Sequence, residues 1–486
     1  MLHGFAWNHA AKLTEYVLVY LFSVLVARGL GPDANGMFAS LLSVSYLLIA
    51  FSSAGIEAAL TRFIPNLIQN QSNGQLRYIV RRLLAVKILL LAIACTVVAI
   101  FWNPLAHRFA LEGSPTEFVV FISVFVVVRG LGSLFGTLLL ARFRTKELFF
   151  CTTVPLLLQI GAVLLLGPDI LRLEDVIIVV LGGQTVTAIS LFLLSRDDAG
   201  SPEEEISLRP VLTFSGLLWA NVFVDYFLGK QGDVVFLAFF AIPKNQIGWY
   251  DISFTLSQIP SFGMAAGFMG VSLATFASSA GGKRMEFVET WTKLNRLITR
   301  MTLPLYCFGI MYAREIIHVC FSDAYLGAVP LMQVLFGARI LTRFFGGGEN
   351  TDALLALSKE RLAVSIALAA GVVNVAGNCL LIPPLGAMGA AVSTGCVTIA
   401  VNAATAVALR QSVGAEIQGP NWIAMLIIGV VPPAVTSLLI PSHTFGSLLG
   451  TAFVCLVLWS VGVVALYRRE LKHTGIDMLP PAEERV

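Results

Sequence analysis

Charged residues are scarce in this sequence. Only 13% of its 486 residues are Asp, Glu, Lys or Arg, whereas a soluble domain has about 25%. The mean hydropathy is +0.82, and 57% of the residues are hydrophobic. A chain of this composition has too few polar side chains to cover a surface that faces water. This excludes a soluble globular protein and predicts a polytopic membrane protein.

Motifs for nucleotide, metal and redox chemistry are missing as well. The sequence has no G-x-x-x-x-G-K-[ST] loop, so it gives no support for ATP hydrolysis by this chain. The seven cysteines form no C-x-x-C pair, and the six histidines show no metal-ligand spacing. The first apolar run is of full length and lacks a small-residue cleavage site. We therefore expect no cofactor, no metal, no disulfide, no cleavable signal peptide and no nucleic-acid partner.

Long apolar runs dominate what is present. Each run has about 20 residues, enough to cross a hydrocarbon core about 30 Å thick. Hydropathy predicts about fourteen spans, near residues 11–29, 37–61, 82–102, 117–140, 149–167, 175–195, 211–240, 250–276, 297–313, 328–356, 362–382, 388–410, 422–440 and 447–467. The sequence thus predicts an all-α polytopic membrane protein with about fourteen transmembrane helices.

Lysine and arginine cluster on alternate loops of this predicted topology. The richer side includes Arg62, Arg77, Arg81, Arg82 and Lys87, and a second group at residues 283–300. The poorer side holds only Arg28, Arg108, Arg172, Lys244 and Arg314. By the positive-inside rule the richer side is cytoplasmic. This places both termini in the cytoplasm and requires an even number of spans.

Two stretches repeat at nearly the same offset. The sequence GMFASLLSVSYLLIAFSSAGIEAALTRF from Gly36 resembles GWYDISFTLSQIPSFGMAAGFMGVSLATF from Gly248, an offset of 212 residues. Further on, LLLARFRTKELFF from Leu138 parallels LLALSKERLAV from Leu354. We interpret this as duplication of a unit of about six spans; chance similarity between apolar helices is the alternative.

A polar linker falls where the repeat begins again. The segment SRDDAGSPEEEISLRP, residues 195–210, is acidic and contains Gly and Pro, a composition typical of a join between lobes. We therefore predict an N-terminal six-helix lobe at residues 1–200 and a C-terminal six-helix lobe at 201–410. Residues 411–486 would add two further transmembrane helices and a cytoplasmic tail.

Two helix pairs resemble a known family. The stretch VLVARGLGPDANGMFASLLSVSYLLIAFSSAGIEAALTRF, from Val24 to Phe63, is similar to the opening spans of polysaccharide exporters and oligosaccharide flippases. These belong to the multidrug/oligosaccharidyl-lipid/polysaccharide (MOP) superfamily. The stretch GNCLLIPPLGAMGAAVSTG, from Gly377 to Gly395, resembles the matching pair in the second lobe.

The resemblance implies both architecture and activity. It implies two pseudo-symmetric six-helix bundles around a central cavity, to which this chain adds two C-terminal helices. The implied activity is secondary transport by alternating access, carrying a lipid-linked (polyprenyl-pyrophosphate) oligosaccharide from the cytoplasmic to the outer leaflet of the inner membrane. We expect no enzymatic activity, and we expect a polysaccharide polymerase as a partner.

Charged residues inside span 7 indicate a wet surface. Asp225, Lys230 and Asp233 interrupt an apolar run, and each charge near mid-membrane costs about 2.5 to 3.5 kcal/mol. At 100° per residue, Asp225 and Asp233 share one helix face, and Lys230 lies near enough to Asp233 to neutralise it partly. We predict that Asp225 and Asp233, with Glu57 in span 2, carry a coupling H⁺ or Na⁺. A structural Lys230–Asp233 ion pair is the alternative.

Arginines inside spans 4 and 10 suit an anionic substrate. Arg129 and Arg343 differ by 214 positions, close to the repeat offset. A guanidinium group grips phosphate oxygens in a fork. We predict that Arg129, Arg343, Arg339 and Lys230 bind substrate and that Arg129 and Arg343 face one cavity; ion pairs that lock helices are the alternative. Three glycines after Phe345 predict a hinge or a close packing contact.

Other functions remain open. A multidrug/cation antiporter of the same superfamily typically has a carboxylate within span 1. Residues 16–27 contain none, and Glu15 falls at the inner edge. A lipid II flippase is a nearer alternative, which the sequence alone does not exclude. A membrane glycan polymerase or ligase would need a sizeable outer loop, and the outer loops here are short. Asn374 and Asn378, spaced i, i+4, are typical of hydrogen bonds between helices.

Overall fold

The structure is all-α, as the sequence predicts. The computed structural model describes residues 2–474 apart from 71, 110, 112–114, 168–170, 196–203, 266–275, 277–283, 415–421 and 440–443. Within these residues eighteen α-helices and a short 3₁₀ turn follow one another, without a strand. The predicted cytoplasmic tail after Thr474, much of the polar linker and the second half of the span predicted at 250–276 lie outside the described residues.

The helices succeed one another through short connections. Seven occupy the first part of the chain: α1 (Leu2–Ser53), α2 (Ile56–Gln69), α3 (Asn73–Ile100), α4 (Trp102–Arg108), α5 (Pro115–Ala141), α6 (Thr145–Leu166) and α7 (Leu173–Leu194). The rest are α8 (Arg209–Leu228), α9 (Lys230–Phe239), α10 (Lys244–Ala265), α11 (Arg284–Met311), α12 (Ala313–Cys320), α13 (Ala328–Arg343), α14 (Glu349–Ala356), α15 (Glu360–Leu385), α16 (Ala387–Val413), α17 (Trp422–Leu439) and α18 (Phe445–Thr474).

The described helices include nine that are long and apolar enough to cross a membrane. The first, Leu13–Ser53, has 41 residues, which at about 1.5 Å per residue allows two crossings. It bends where Gly31 leaves the helical region (φ 74°, ψ 170°) before Pro32. Predicted spans 1 and 2 are therefore two arms of one bent helix. Large apolar side chains face outward, with Val372 70% and Phe453 65% exposed, and they form a surface suited to lipid.

Two predicted spans are each broken into two helices by glycine. In span 7, Gly229 adopts an extended conformation (φ −94°, ψ 169°) between α8 and α9. In span 10, Gly346 (φ 97°) and Gly347 (φ 62°) separate α13 from α14. Positive φ angles are strained for residues with a Cβ, so the glycines permit this turn. The glycine run is therefore a true interruption of the helix, as the hinge prediction requires.

Helices α1 and α10 touch through their backbones. A Cβ at Gly36 would lie 2.7 Å from the carbonyl carbon of Lys244, and one at Gly248 would lie 3.0 Å from the carbonyl carbon of Pro32. Both distances are too short for a side chain. Gly248 follows Gly36 by 212 residues, and Lys244 follows Pro32 by the same number. The contact thus has the reciprocal symmetry that the predicted repeat requires.

Buried apolar side chains form clusters in both halves of the chain. One cluster joins α2, α3 and α5 through residues such as Ile64, Leu83 and Leu138. Another joins α9, α10, α13, α15 and α16 and includes Val234 and Ile382. These clusters hold each helix group together by burial. The predicted lobe boundary near residue 200 falls outside the described residues, so the division into lobes stays a prediction.

Candidate functional site

A cavity of about 320 Å³ opens between α1, α5, α6, α7 and the first turns of α9 and α10. We call it the main cavity. Its polar lining comprises Glu15, Ser23, Asn35, Tyr46, Arg129, Thr152, Gln159, Gln184, Thr187, Lys230, Gln231 and Asp251. Apolar residues such as Phe22, Val26 and Leu156 complete the wall. The mixture of amides, hydroxyls and few charges suits a ligand that is largely neutral with one charged group.

Arg129 offers the main cavity a guanidinium group without an acidic partner. It lies on α5, and its Nη1 donates to Oε1 of Gln184 on α7 at 3.4 Å. Its side chain is exposed and forms no ion pair with a carboxylate among the described residues. Helix α7 holds Gln184 in place; it begins with a cap in which the backbone N–H of Arg172 donates to Asp175 at 3.0 Å. Arg129 thus has no acidic partner among the described residues, and its role in substrate binding stays a prediction.

Lys230 also lines the main cavity, but its partner differs from the predicted one. Its Nζ lies 2.7 Å from Oδ1 of Asp251 and donates to Thr255 at 3.1 Å. The prediction that Lys230 neutralises Asp233 is therefore wrong. Both residues lie on α9, but Lys230 lines the main cavity, whereas Asp233 is completely buried. Sequence reasoning missed Asp251 because it falls at the very start of a predicted span.

Asp233 is completely buried in a polar network between α9, α10, α15 and α16. Its Oδ2 accepts hydrogen bonds from the Tyr250 hydroxyl and from Thr394, the latter at 2.7 Å. Its Oδ1 accepts from Asn378 at 2.7 Å and from Asn374 at 3.3 Å. The two asparagines thus join helices, as predicted. Four donors around one carboxylate stabilise its charge without a cationic partner.

The prediction that Asp225 and Asp233 share one helix face is wrong. Asp225 lies on α8, before the Gly229 break, and is exposed without a hydrogen bond to any described residue. Asp233 lies on α9 and is enclosed by protein. Neither lines the main cavity.

Among the described residues no three His, Cys, Asp or Glu side chains form a metal-binding group. Asn378, which donates to Asp233 through Nδ2, has its Oδ1 buried without a hydrogen-bond partner.

Glu57 is bound to a lysine. Lys87 Nζ lies 2.7 Å from Glu57 Oε1, and Glu57 also accepts from Ser53 at 2.8 Å and Ser133 at 3.3 Å. The Lys87 side chain has no exposed surface. Its assignment to the group of cytoplasmic cations is therefore wrong, because its ion pair with Glu57 encloses it among helices. The pair joins α2, α3 and α5.

The structure separates the two repeat-related arginines. Arg343 forms an ion pair with Glu349 at 3.1 Å, across the break between α13 and α14. It does not line the main cavity, so the prediction that Arg129 and Arg343 face one cavity is not met in this conformation. The guanidinium of Arg339 has no hydrogen bond or ion pair with the described residues.

Glu15 is a cavity residue that hydropathy placed at the edge of the membrane. It lies on the first arm of α1 and lines the main cavity together with Arg129. The only sequence feature that could have indicated a cavity role for Glu15 is its position immediately before the apolar run. A carboxylate that faces bulk water is just as common at such a position. This carboxylate bears on the choice between superfamily branches.

The sequence as a whole matches a known family. The family described as "Polysaccharide biosynthesis protein" matches residues 25–330, more than half of the chain. The chain belongs to this family. An uncharacterized membrane protein of Methanocaldococcus jannaschii is 21% identical over a 422-residue alignment, with 80% of each chain covered.

Solved structures share the fold. A lipid II flippase MurJ in an inward closed conformation has a TM-score of 0.74 at 14% identity and covers 96% of this chain and 100% of its own. An inward-facing multidrug resistance MATE family transporter of the MOP superfamily has a TM-score of 0.67 at 13% identity, covering 83% of this chain and 94% of its own. The chain is thus a multi-pass membrane protein of the polysaccharide biosynthesis protein family, and it shares the fold of these two transporter structures.

Proposed function

We propose that this protein moves a polyprenyl-pyrophosphate-linked oligosaccharide from the cytoplasmic to the outer leaflet. The observation that carries the proposal is the unpaired guanidinium of Arg129 in a cavity lined by amides, hydroxyls and apolar groups. A charge placed there without an acidic partner costs free energy unless water or a ligand surrounds it. A pyrophosphate would take the guanidinium fork, and the neutral polar lining suits sugar hydroxyl groups.

Alternating access is supported by the α1–α10 contact. Gly36 and Gly248 lie near the starts of predicted spans 2 and 8, at the ends that the charge distribution predicts to be extracellular. Their contact closes the two helix groups on that side. The proposal therefore assigns this conformation to the state closed toward the outside, with both termini in the cytoplasm and the protein in the inner membrane. Separation of the two glycines would open the cavity outward.

Asp233 is the best candidate for coupling to H⁺ or Na⁺. It is an intramembrane carboxylate on α9 whose hydrogen-bond donors come from three other helices, and a buried amide oxygen of Asn378 in the same network has no donor. Gain or loss of a cation there would change the hydrogen bonds that hold α9 to α15 and α16. One charge crossing 100 mV supplies about 2.3 kcal/mol, enough to shift a two-state equilibrium by about fifty-fold.

A multidrug/cation antiporter is the second candidate, because Glu15 brings a carboxylate into the main cavity. A cationic substrate would pair with this acid and would be repelled by Arg129. The proposed anionic substrate would instead bind Arg129 and would be repelled by Glu15. Transport and not catalysis is proposed in both cases, and a polysaccharide polymerase would act on the exported product only in the first.

The experiment compares variants of Arg129 in a strain that lacks this protein, with surface polysaccharide as the readout. Arg129→Lys keeps the charge but loses the fork, so export should fall well below wild type, and Arg129→Gln should abolish it. Lys293→Gln is the matched control, because Lys293 is 74% exposed and remote from the cavity lining. Full export by Arg129→Gln at normal protein level would refute the proposal, and resistance to cationic drugs that requires Glu15 would favour the antiporter.

A further inference from the structure

A short loop of the second predicted lobe is hydrogen-bonded to the end of the first arm of α1. The hydroxyl of Tyr325, in a 3₁₀ turn between α12 and α13, donates to the backbone carbonyl of Ala27 at 2.7 Å. The guanidinium of Arg28 donates to the carbonyl of Val319 on α12 at 3.3 Å. Tyr325 and Ala27 are almost completely buried. Both hydrogen bonds therefore join the two predicted lobes directly.

These hydrogen bonds lie on the side that the charge distribution predicts to be outside. Ala27 lies near the end of predicted span 1, and Tyr325 lies between predicted spans 9 and 10. On α10, Trp249 follows Gly248 directly, and its Nε1 donates to the carbonyl of Ala324 at 3.0 Å. The loop is thus a second attachment between the lobes, beside the backbone contact of α1 with α10.

A histidine–aspartate pair holds this loop in a strained conformation. Ser322 has φ 135° and ψ 173°, a region of the backbone that is unfavourable for any residue with a Cβ. Nδ1 of His318 on α12 lies 2.6 Å from Oδ1 of Asp323, so the pair spans Ser322. The pair therefore stabilises the loop conformation in which Tyr325 reaches α1.

His318 is surrounded by charged groups of both signs. Arg314 and Glu315 precede it by one turn of α12, and Oε2 of Glu315 is buried without a hydrogen-bond partner in the part of the chain that the structure describes. Arg28 approaches from α1, and Asp323 from the 3₁₀ turn. Of these side-chain types only histidine changes its charge between about pH 5 and 8. No Asp, Glu, Lys, Arg or His occurs in the nearby ends of the other helices packed on α12, which are residues 305–311 of α11, 328–334 of α13 and 445–451 of α18.

We infer that residues 318–325 form an outer latch on α1 and that protonation of His318 tightens this latch. The inference rests on the proposed alternating access, because the hydrogen bonds to Ala27 and from Arg28 must break before the outer side opens. A protonated imidazole adds charge attraction to its hydrogen bond with Asp323. This attraction is present while the imidazole is charged and is lost as the pH rises and the imidazole becomes neutral. An acidic outside therefore favours the closed state.

The test measures how fast a thiol in the main cavity reacts with a membrane-impermeant maleimide added outside intact cells. Ser23→Cys, in a full-length background without native cysteines, places the thiol on the cavity wall. The reaction rate is proportional to the population that is open outward. Tyr325→Phe should raise this rate about 2- to 12-fold, because the closed state loses a buried hydrogen bond. Tyr78→Phe is the control, because the Tyr78 hydroxyl has no hydrogen bond with the described residues, and its rate should equal that of wild type.

The effect of protonation is tested by comparing His318→Gln with wild type at about pH 5.5 and about pH 8. At the acidic pH, wild type should react up to about five-fold more slowly than His318→Gln, the range expected for an exposed ion pair. At the basic pH the two rates should agree within about two-fold. Asp323→Asn should behave like His318→Gln. Comparison of variants at one pH cancels the pH dependence of the thiol itself.

The outcomes separate the latch from the proposed function. Equal rates in Tyr325→Phe and wild type, together with a faster rate in Gly248→Ala, would overturn the latch and leave alternating access standing. Equal rates in His318→Gln and wild type at the acidic pH would overturn the effect of protonation. Absence of reaction in every variant, including Gly248→Ala, would instead count against outward opening and therefore against the proposed function.

Discussion

One added methyl group at Gly248 should shift the protein away from the conformation in which α1 touches α10. A Cβ there would overlap the carbonyl oxygen of Pro32 and lie 3.2 Å from the amide nitrogen of Gly36. Both neighbours are backbone atoms, which cannot rotate away, so the helices must separate. Overpacking of this kind costs about 1–3 kcal/mol. The closed population should therefore fall relative to the open one by about 5- to 150-fold.

Double electron–electron resonance can measure this shift. Spin labels at Arg172→Cys and Asp323→Cys, in a background without native cysteines, report the separation of exposed positions on the predicted outer side. Gly248→Ala should add or enlarge a population at longer distance. Gly337→Ala is the control, because a Cβ at Gly337 meets nothing within 4 Å. A distance distribution identical to wild type in folded Gly248→Ala protein would refute the assignment of this contact as the outer closure.

Three further predictions concern the ion pairs and the buried carboxylate. Lys87→Met should lower the free energy of unfolding by about 3–5 kcal/mol, because it leaves Glu57 without its cationic partner. Adding Glu57→Gln to this variant should restore most of the loss in thermal unfolding. Absence of this rescue would contradict a structural ion pair. Asp233→Asn should make the transport rate in proteoliposomes independent of an imposed H⁺ or Na⁺ gradient. A transport rate that still responds to the gradient would exclude Asp233 as the coupling group. Glu349→Gln should speed hydrogen exchange around the break that Arg343 spans, and unchanged exchange would show that the glycines alone set the turn.

Helix positions could be predicted from hydropathy because lipid imposes one requirement on every span. The predicted span at 388–410 corresponds to Ala387–Val413, and that at 175–195 to Leu173–Leu194. The repeat also predicted a pair of equivalent positions, Gly36 and Gly248, which the structure brings into contact. These successes depend on composition and periodicity, which need no knowledge of neighbouring helices.

Partnerships between charged residues could not be predicted in the same way. A helical projection assumes unbroken geometry, and the extended Gly229 invalidates it between Asp225 and Asp233. The partner of Lys230, Asp251, lies on another helix and is set by tertiary packing. Position along a span likewise gave no sign that Lys87 would be enclosed. Sequence therefore indicated which charges need a special environment, but not which residues supply it.

The most direct test of the account is transfer of a lipid-linked sugar across a membrane by the purified protein. Proteoliposomes would carry a polyprenyl-diphosphate N-acetylglucosamine probe, and an added glycosidase would report the fraction that reaches the outer leaflet. The account predicts transfer well above protein-free vesicles, reduced at least about ten-fold by Arg129→Gln through loss of the charged hydrogen bonds to phosphate. Transfer equal to protein-free vesicles, or equal rates for wild type and Arg129→Gln, would contradict it.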